Sequence, residues 1–317
     1  MSTFISKTSF VTLVAHRGVS LYKIPENTPE AIEQAFKLGV EIETDIQKIN
    51  GGFVLYHDEN IPGPNDNSLN GGGFYLPSGK KPIPECTLRD LLIMAQFDRG
   101  KHETILSKQA GEKVILTYKE EPRIATLGDL IYLLKKYPKA KVHLEIKRPI
   151  ETEIYNDGLE EELIGILKDE NLVARVIIIS FNESSLKNIR KANSSIKLGV
   201  DIYGKQALDL QIAKRMKDEL AISYWNPPFK QFIPATISIF NEIKRLGLKL
   251  APWPWGETRK LELAAIETIV NSSSWPLYRT SNYQAGLHLK EIIEGLNLEE
   301  IMTNDPIAIN KVVNKST

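Results

Sequence analysis

The chain holds one cysteine, Cys86, in 317 residues. A lone thiol excludes an internal disulfide framework and suits a reducing compartment. An excess of one charge is also missing. Forty Lys and Arg balance forty Asp and Glu, so nothing predicts general attraction to nucleic acid or to anionic membranes. No apolar run approaches the length of a membrane span. The opening residues, MSTFISKTSF, have neither a sustained apolar core nor a small-residue cleavage site. The expectation is therefore a cytoplasmic protein with no stable membrane insertion. No internal repeat is visible, no glycine-rich nucleotide fingerprint follows an apolar run, and no feature sets an oligomeric state.

What is present begins with bulk. Apolar residues make up 42% and charged residues 25%, which supports a substantial core in an average soluble composition. The stretch around which the rest is arranged is EIETDIQKINGGFVLYHD, Glu41 to Asp58. Asn50-Gly51-Gly52 reads as a tight turn between two extended runs. On a strand, Glu41, Glu43 and Asp45 project to one side, while Ile42, Thr44 and Ile46 project to the other. Three carboxylates on one face repel unless a cation or water lies among them, and a hard divalent ion is the economical answer.

The remaining chain supplies a rhythm. VTLVAHRG (11–18) is a short strand ending in His16 and Arg17. A helix follows in which Thr28 is the N-cap, Pro29 occupies the first turn and Gly39 is the stop. Further strands are KVHLEIK (141–147), VARVIIISF (173–181), IKLGV, ELAISYW, LKLAPWPWG and LEEIMTNDP, with helical patterns between them. Eight strands alternating with helices predict a (β/α)₈ TIM barrel. Residues 1–317 read as one domain, interrupted at about 60–122 by a loop-rich segment after strand two. That segment is rich in Gly, Pro, Asn and Ser, with a short helix, TLRDLLIMAQF, and a strand-like patch around VILTYKEEP.

In such barrels the active site forms where strands end. There the sequence collects His16, Arg17, Glu43, Asp45, His57, Glu145, Lys147, Trp253, Trp255, Asn304 and Asp305. This set suits a phosphate ester. Carboxylates hold a cation, the cation with Arg17 and Lys147 neutralises phosphoryl oxygens, and two histidines move protons. Glu26 and Asn27 are expected as braces or substrate contacts, and Glu41 as a supporting acid. His102, His143 and Cys86 read as structural.

The ordered motifs AHRG (15–18), PENT (25–28), IETDI (42–46), LYHD (55–58), LEIK (144–147), SF (180–181) and TNDP (303–306) resemble the glycerophosphodiester phosphodiesterase family. The resemblance covers nearly the whole chain outside the insertion. It implies a (β/α)₈ barrel that hydrolyses glycerophosphodiesters to glycerol 3-phosphate and an alcohol with Mg²⁺ or Ca²⁺. By position it implies His16 and His57 as the acid–base pair and Glu43, Asp45 and Glu145 as metal ligands. Arg17 and Lys147 would be phosphate contacts, and Trp253 a pocket wall. The chain departs from the family pattern in a hairpin one residue short, in Asn50-Gly51-Gly52 where Lys-Asp-Gly is typical, and in Asn304 where Asp is frequent. Two other outcomes stay open on the same residues: a cyclic phosphate product, as in sphingomyelinase D-like enzymes, or a barrel that only binds phosphate. The insertion is expected to close over the alcohol half of a small-molecule phosphodiester.

Overall fold

Strands and helices alternate from Thr12 onward in the order the apolar rhythm predicts. The computed structural model describes residues 11–19, 24–66, 73–100, 103, 121–148, 157–232, 235–254, 296, 298–304 and 306. Its strands are β1 (Thr12–His16), β2 (Glu41–Ile49), β3 (Gly52–Leu55), β4 (Asn60–Ile61), β5 (Phe74–Tyr75), β6 (Lys81–Pro82), β7 (Gln96–Phe97), β8 (Ala125–Thr126), β9 (Val142–Ile146), β10 (Val176–Ser180), β11 (Lys197–Asp201), β12 (Tyr224–Asn226), β13 (Lys249–Leu250) and β14 (Glu300–Thr303). The helices between them are α1 (Pro29–Lys37), α2 (Leu127–Lys136), α3 (Leu159–Asp169), α4 (Glu183–Ala192), α5 (Leu210–Leu220) and α6 (Ile237–Arg245).

The eight predicted strands form one parallel series, β13-β12-β11-β10-β9-β2-β1-β14. No ladder joins β13 to β14 among the described residues. The Met302 N–H donates to the Pro252 carbonyl at 3.0 Å, which brings the two edges of the (β/α)₈ sheet together.

Strand alternation divides the side chains into two apolar layers. Ile42, Ile46, Val142, Leu144 and Ile178 face outward and pack with Ile32 and Phe36 of α1, Leu130 of α2, Leu163 of α3 and Leu186 of α4. Val14, Ile177, Ile179, Tyr224, Ala251 and Met302 face inward and form a separate cluster. Residues in step with this second set, Glu41, Glu43, Asp45, His143, Glu145, Asp201, Asn226 and Glu300, therefore share the barrel interior. Local signals hold the frame. The Thr28 hydroxyl accepts the Ala31 N–H at 3.3 Å, with Pro29 opening α1, a cap worth about 1 kcal/mol.

The β2–β3 hairpin is antiparallel, pairing Ile46 with Leu55 and Ile49 with Gly52. Beyond it the loop-rich segment has more order than its composition predicts. β4 pairs with β6 and β5 with β7, and TLRDLLIMAQF holds one wide helical turn, Asp90–Met94. Ile61, Phe74, Leu76, Ile83, Cys86 and Leu91 bury a second core against Ile49, Val54 and Tyr56 of the hairpin. Residues 114–120 of the strand-like patch VILTYKEEP, residues 255–295 with Trp255 and their helical patterns, and His102 and Asp305 lie outside the described residues. No helix among the described residues is long and apolar enough to cross a membrane.

Candidate active site

β2 brings the acids together through its own pleat, and β9 adds the third. The register sets Asp45 beside Glu145 on the neighbouring strand, and both side chains point into the barrel with Glu43. Each is buried, and one carboxylate oxygen from each lies within 4.8 Å of the others. Glu43 Oε1 and Asp45 Oδ1 make no hydrogen bond, although buried acceptors ordinarily have partners. Burial, Asp45 and Glu145 all push the Glu43 carboxyl well above its ordinary value. Burial likewise raises Glu145, opposed by Lys147. Asp45 goes the other way: burial opposes its charge, but Lys147, His57 and Arg17 outweigh it. An all-oxygen, buried donor set with two unfilled oxygens fits a hard divalent cation.

Two cations stand against these acids. Lys147 Nζ lies 2.8 Å from Glu145 Oε1 and 3.4 Å from Asp45 Oδ1. Arg17 Nε lies 3.4 Å from Asp45 Oδ2, and Nη1 donates to Glu26 Oε1 at 2.8 Å. The Arg17 N–H also donates to Glu43 Oε2 at 3.1 Å. Arg17 and Asn27 hold left-handed backbone, φ +57° and +54°, conformations that cost of order 1–3 kcal/mol and cluster at functional sites. Gly18 follows at φ +81°, where a Cβ would come within 2.8 Å of the Ala31 carbonyl carbon. The expected bracing role of PENT is thus visible in its contacts. Glu26 holds Arg17, while Asn27 donates to Asp45 Oδ2 at 2.8 Å and accepts from the Thr44 hydroxyl at 2.6 Å.

The histidines are held differently. His16 ends β1 with Nδ1 2.8 Å from Asn304 Oδ1. An amide oxygen only accepts, so Nδ1 carries the proton and Nε2 is left with its lone pair, 3.8 Å from Glu43 Oε2. Burial, then the charge of Arg17, push His16 down to about 3. His57 Nδ1 instead lies 2.7 Å from Asp58 Oδ1.

Aromatic rings gather beyond the acids. Trp253 stacks edge-on against Phe181 at 5.5 Å, Phe181 lies 5.9 Å from Tyr203, and Trp253 Nε1 donates to the Asn226 carbonyl at 2.7 Å. Tyr203 is exposed. Every described member of the predicted set thus lies at this end of the barrel, joined by residues not singled out beforehand. Asp58 was legible only as the neighbour of His57. Asp201, on the inward face of β11, accepts from Asn226 at 2.9 Å and keeps Oδ2 without a partner. Burial and Glu145 push its carboxyl well up. Only the i, i+2 alternation of a five-residue strand could have signalled it.

A family model described as the glycerophosphoryl diester phosphodiesterase family matches residues 16–262. A glycerophosphodiester phosphodiesterase of Caldanaerobacter subterraneus subsp. tengcongensis is 32% identical over 243 residues, covering 76% of this chain and 84% of its own. Among solved structures, a Silicibacter pomeroyi DSS-3 chain superposes with a TM-score of 0.68 at 16% identity, covering 97% of this chain and 94% of that one. A glycerophosphodiester phosphodiesterase from Parabacteroides distasonis ATCC 8503 gives 0.62 at 17% identity, covering 97% and 98%. At such identities the structures speak for the barrel fold.

Proposed function

This chain belongs to the glycerophosphoryl diester phosphodiesterase family and hydrolyses phosphodiesters, and we propose that it cleaves glycerophosphodiesters to glycerol 3-phosphate and an alcohol with a divalent cation and a His16/His57 acid–base pair. The observation that carries the cation is the trio Glu43, Asp45 and Glu145, buried within 4.8 Å with two oxygens unfilled. These residues would hold Mg²⁺ or Ca²⁺. Bound there, the ion would withdraw charge from the phosphoryl group as a Lewis acid.

The protein's own groups do the rest. Arg17 and Lys147, which face Asp45 and Glu145, would offer donors to the non-bridging phosphoryl oxygens. His16, neutral and with a bare Nε2, takes a proton from the attacking water as its oxygen bonds to phosphorus. His57, oriented by Asp58, gives a proton from Nε2 to the leaving alcohol oxygen as the P–O bond breaks. One proton enters at His16 and one leaves at His57, and exchange with water restores both. Trp253 and Phe181 would wall the organic half of the substrate. The 60–122 insertion, rooted directly after Asp58, would choose among alcohols.

Phosphorus NMR of the products of glycerophosphocholine, with and without chelator, tests this reading. Glycerol 3-phosphate that appears only with Mg²⁺ or Ca²⁺ is the expected result. A cyclic phosphate, or full turnover by metal-free protein, would overturn it.

A further inference from the structure

One storey below the site already described, the barrel holds a second convergence of ligating atoms. Glu41 of β2, His143 of β9 and Glu300 of β14 each present one such atom, all within 4.8 Å of one another. His143 is fully buried, and neither ring nitrogen makes a hydrogen bond. Its Nε2 lies 3.2 Å from Glu300 Oε2 and 3.7 Å from Glu41 Oε2. The other carboxylate oxygens are already engaged. Glu41 Oε1 takes Lys141 at 3.0 Å, and Glu300 Oε1 takes the Tyr224 hydroxyl at 3.0 Å and Lys249 at 3.3 Å. The Oε2 atoms are thereby left facing the imidazole, and Glu300 Oε2 is itself buried without a hydrogen bond.

His143 pairs electrostatically with both acids, yet its ring nitrogens fall short of good hydrogen-bond geometry. Three atoms that each aim at a common centre, about 2.0–2.2 Å away, would stand about 3.4 Å apart in a tetrahedral arrangement. The observed 3.2 and 3.7 Å bracket that spacing.

We propose that Glu41, His143 and Glu300 form a second metal site, distinct from Glu43, Asp45 and Glu145 and selective for a first-row ion such as Zn²⁺. Imidazole with two carboxylates suits Zn²⁺, Mn²⁺ or Co²⁺, whereas the all-carboxylate trio suits Mg²⁺ or Ca²⁺. Each lower ligand on β2 and β9 precedes an upper one by two residues, which sets the sites about 6.6 Å apart. Paired catalytic ions sit about 3.5–4 Å apart, so the lower ion does not share a substrate oxygen with the upper one. Its role is to cross-link β2, β9 and β14 through the barrel interior, where no disulfide is available.

Metal-stripped protein held in excess Mg²⁺ is titrated with Zn²⁺ and, separately, Co²⁺, reading stoichiometry by calorimetry, melting temperature, and the Co²⁺ visible spectrum. Wild type should take up one equivalent of either ion with a rise in melting temperature. H143Q should lose that equivalent. E41Q, altered at the less buried ligand, should weaken it by no less than the roughly 10–100-fold that loss of an outer-shell partner costs. E145Q should retain it, so failure of the upper site and failure of the lower one read differently. Less than one equivalent on folded wild type, or Zn²⁺ uptake unchanged in folded E41Q, overturns the proposal; the three residues then hold a shared proton and no ion.

Discussion

Replacing Glu43 by Gln should make the chelated protein more stable, against the usual direction of a substitution at a buried site. Two carboxylates within 4.8 Å of each other repel by at least about 3.5 kcal/mol when both are charged, at an effective dielectric of about 20. Arg17 and Lys147 offset part of this, leaving an expected gain of about 1–3 kcal/mol once one charge is removed. The amide keeps an oxygen for the Arg17 N–H that Glu43 Oε2 now accepts, so the loop after β1 should stay in place. In a chain of this size the gain corresponds to a melting temperature higher by about 1.5–4.5 °C. The order should reverse on adding cation. At a hundred times its Kd a bound ion stabilises wild type by about 2.7 kcal/mol, and the variant, one ligand short, should gain little. The difference in chelator should also depend on pH. Burial beside Asp45 and Glu145 raises Glu43 in the folded state above its ordinary 4.5, so the folded state holds the extra proton, and wild-type stability falls relative to the variant as pH rises above 4.5. Scanning calorimetry at pH 5 and pH 8, each with EDTA and with Mg²⁺, reads all four arms. A variant less stable in EDTA, beside a wild type indifferent to Mg²⁺ and Ca²⁺, would refute the reasoning, because Arg17 and Lys147 would then complete the charge balance unaided.

His16→Ala and His57→Ala should each lower kcat by roughly 10²–10⁴-fold with little change in KM; in steady-state assays the double variant should be scarcely worse than either single one if the pair acts as a unit. Trp253→Ala removes the ring packed on Phe181 at 5.5 Å, and should raise KM for diesters with bulky alcohols while sparing kcat on small ones, a split that a substrate panel measures. Glu33 links α1 to α2 by accepting from Lys136 and Tyr137, and the bonds from Lys136 and Lys37 hold it at about 2. A depressed carboxyl contributes stability above its unfolded value of 4.5 that is lost as pH falls toward 2. Urea midpoints should therefore show Glu33→Gln less stable by about 0.5–1 kcal/mol at pH 7, discounted for the half-exposed Lys136, and indistinguishable from wild type near pH 2.

How much of this was legible divides along sequence distance. The alternation EIETDI fixes which β2 side chains enter the barrel, and it needs no partner to be read; Thr28 and Pro29 announce α1 in the same local way. Asn304 meeting His16, 288 positions away, depends on β14 lying beside β1, and strand neighbours are a property of the whole sheet. The insertion misled for a different reason. Ile61, Phe74, Leu76, Ile83 and Leu91 are scattered among Gly and Pro without a period of two or 3.6, so composition reads as loop while the residues still find a common core with the hairpin.

His143 shows where the local rule was sufficient but was not carried far enough. It stands two residues before Glu145, so any strand that turns Glu145 inward turns His143 inward as well. Read as a structural histidine, it sits in fact among acids of the same barrel interior. What no local rule supplies is that Glu300 arrives from the far end of the chain and Tyr224 from across the barrel, its ring edge-on to the imidazole at 5.3 Å. The inward pleat makes two storeys out of one acidic strand: Glu43 and Asp45 at the mouth, Glu41 beneath. Mouth-side acids are arranged for a ligand that must come and go, whereas a storey walled by Tyr224 and capped by two lysines suits an occupant that stays. The two should therefore differ in exchange rate as well as in ion preference. Brief EDTA treatment should strip the Glu43 site first, and protein so treated should keep its melting temperature near the Zn²⁺-loaded value while losing Mg²⁺-dependent turnover. Simultaneous loss of both would show one continuous acidic cavity in place of two separate sites.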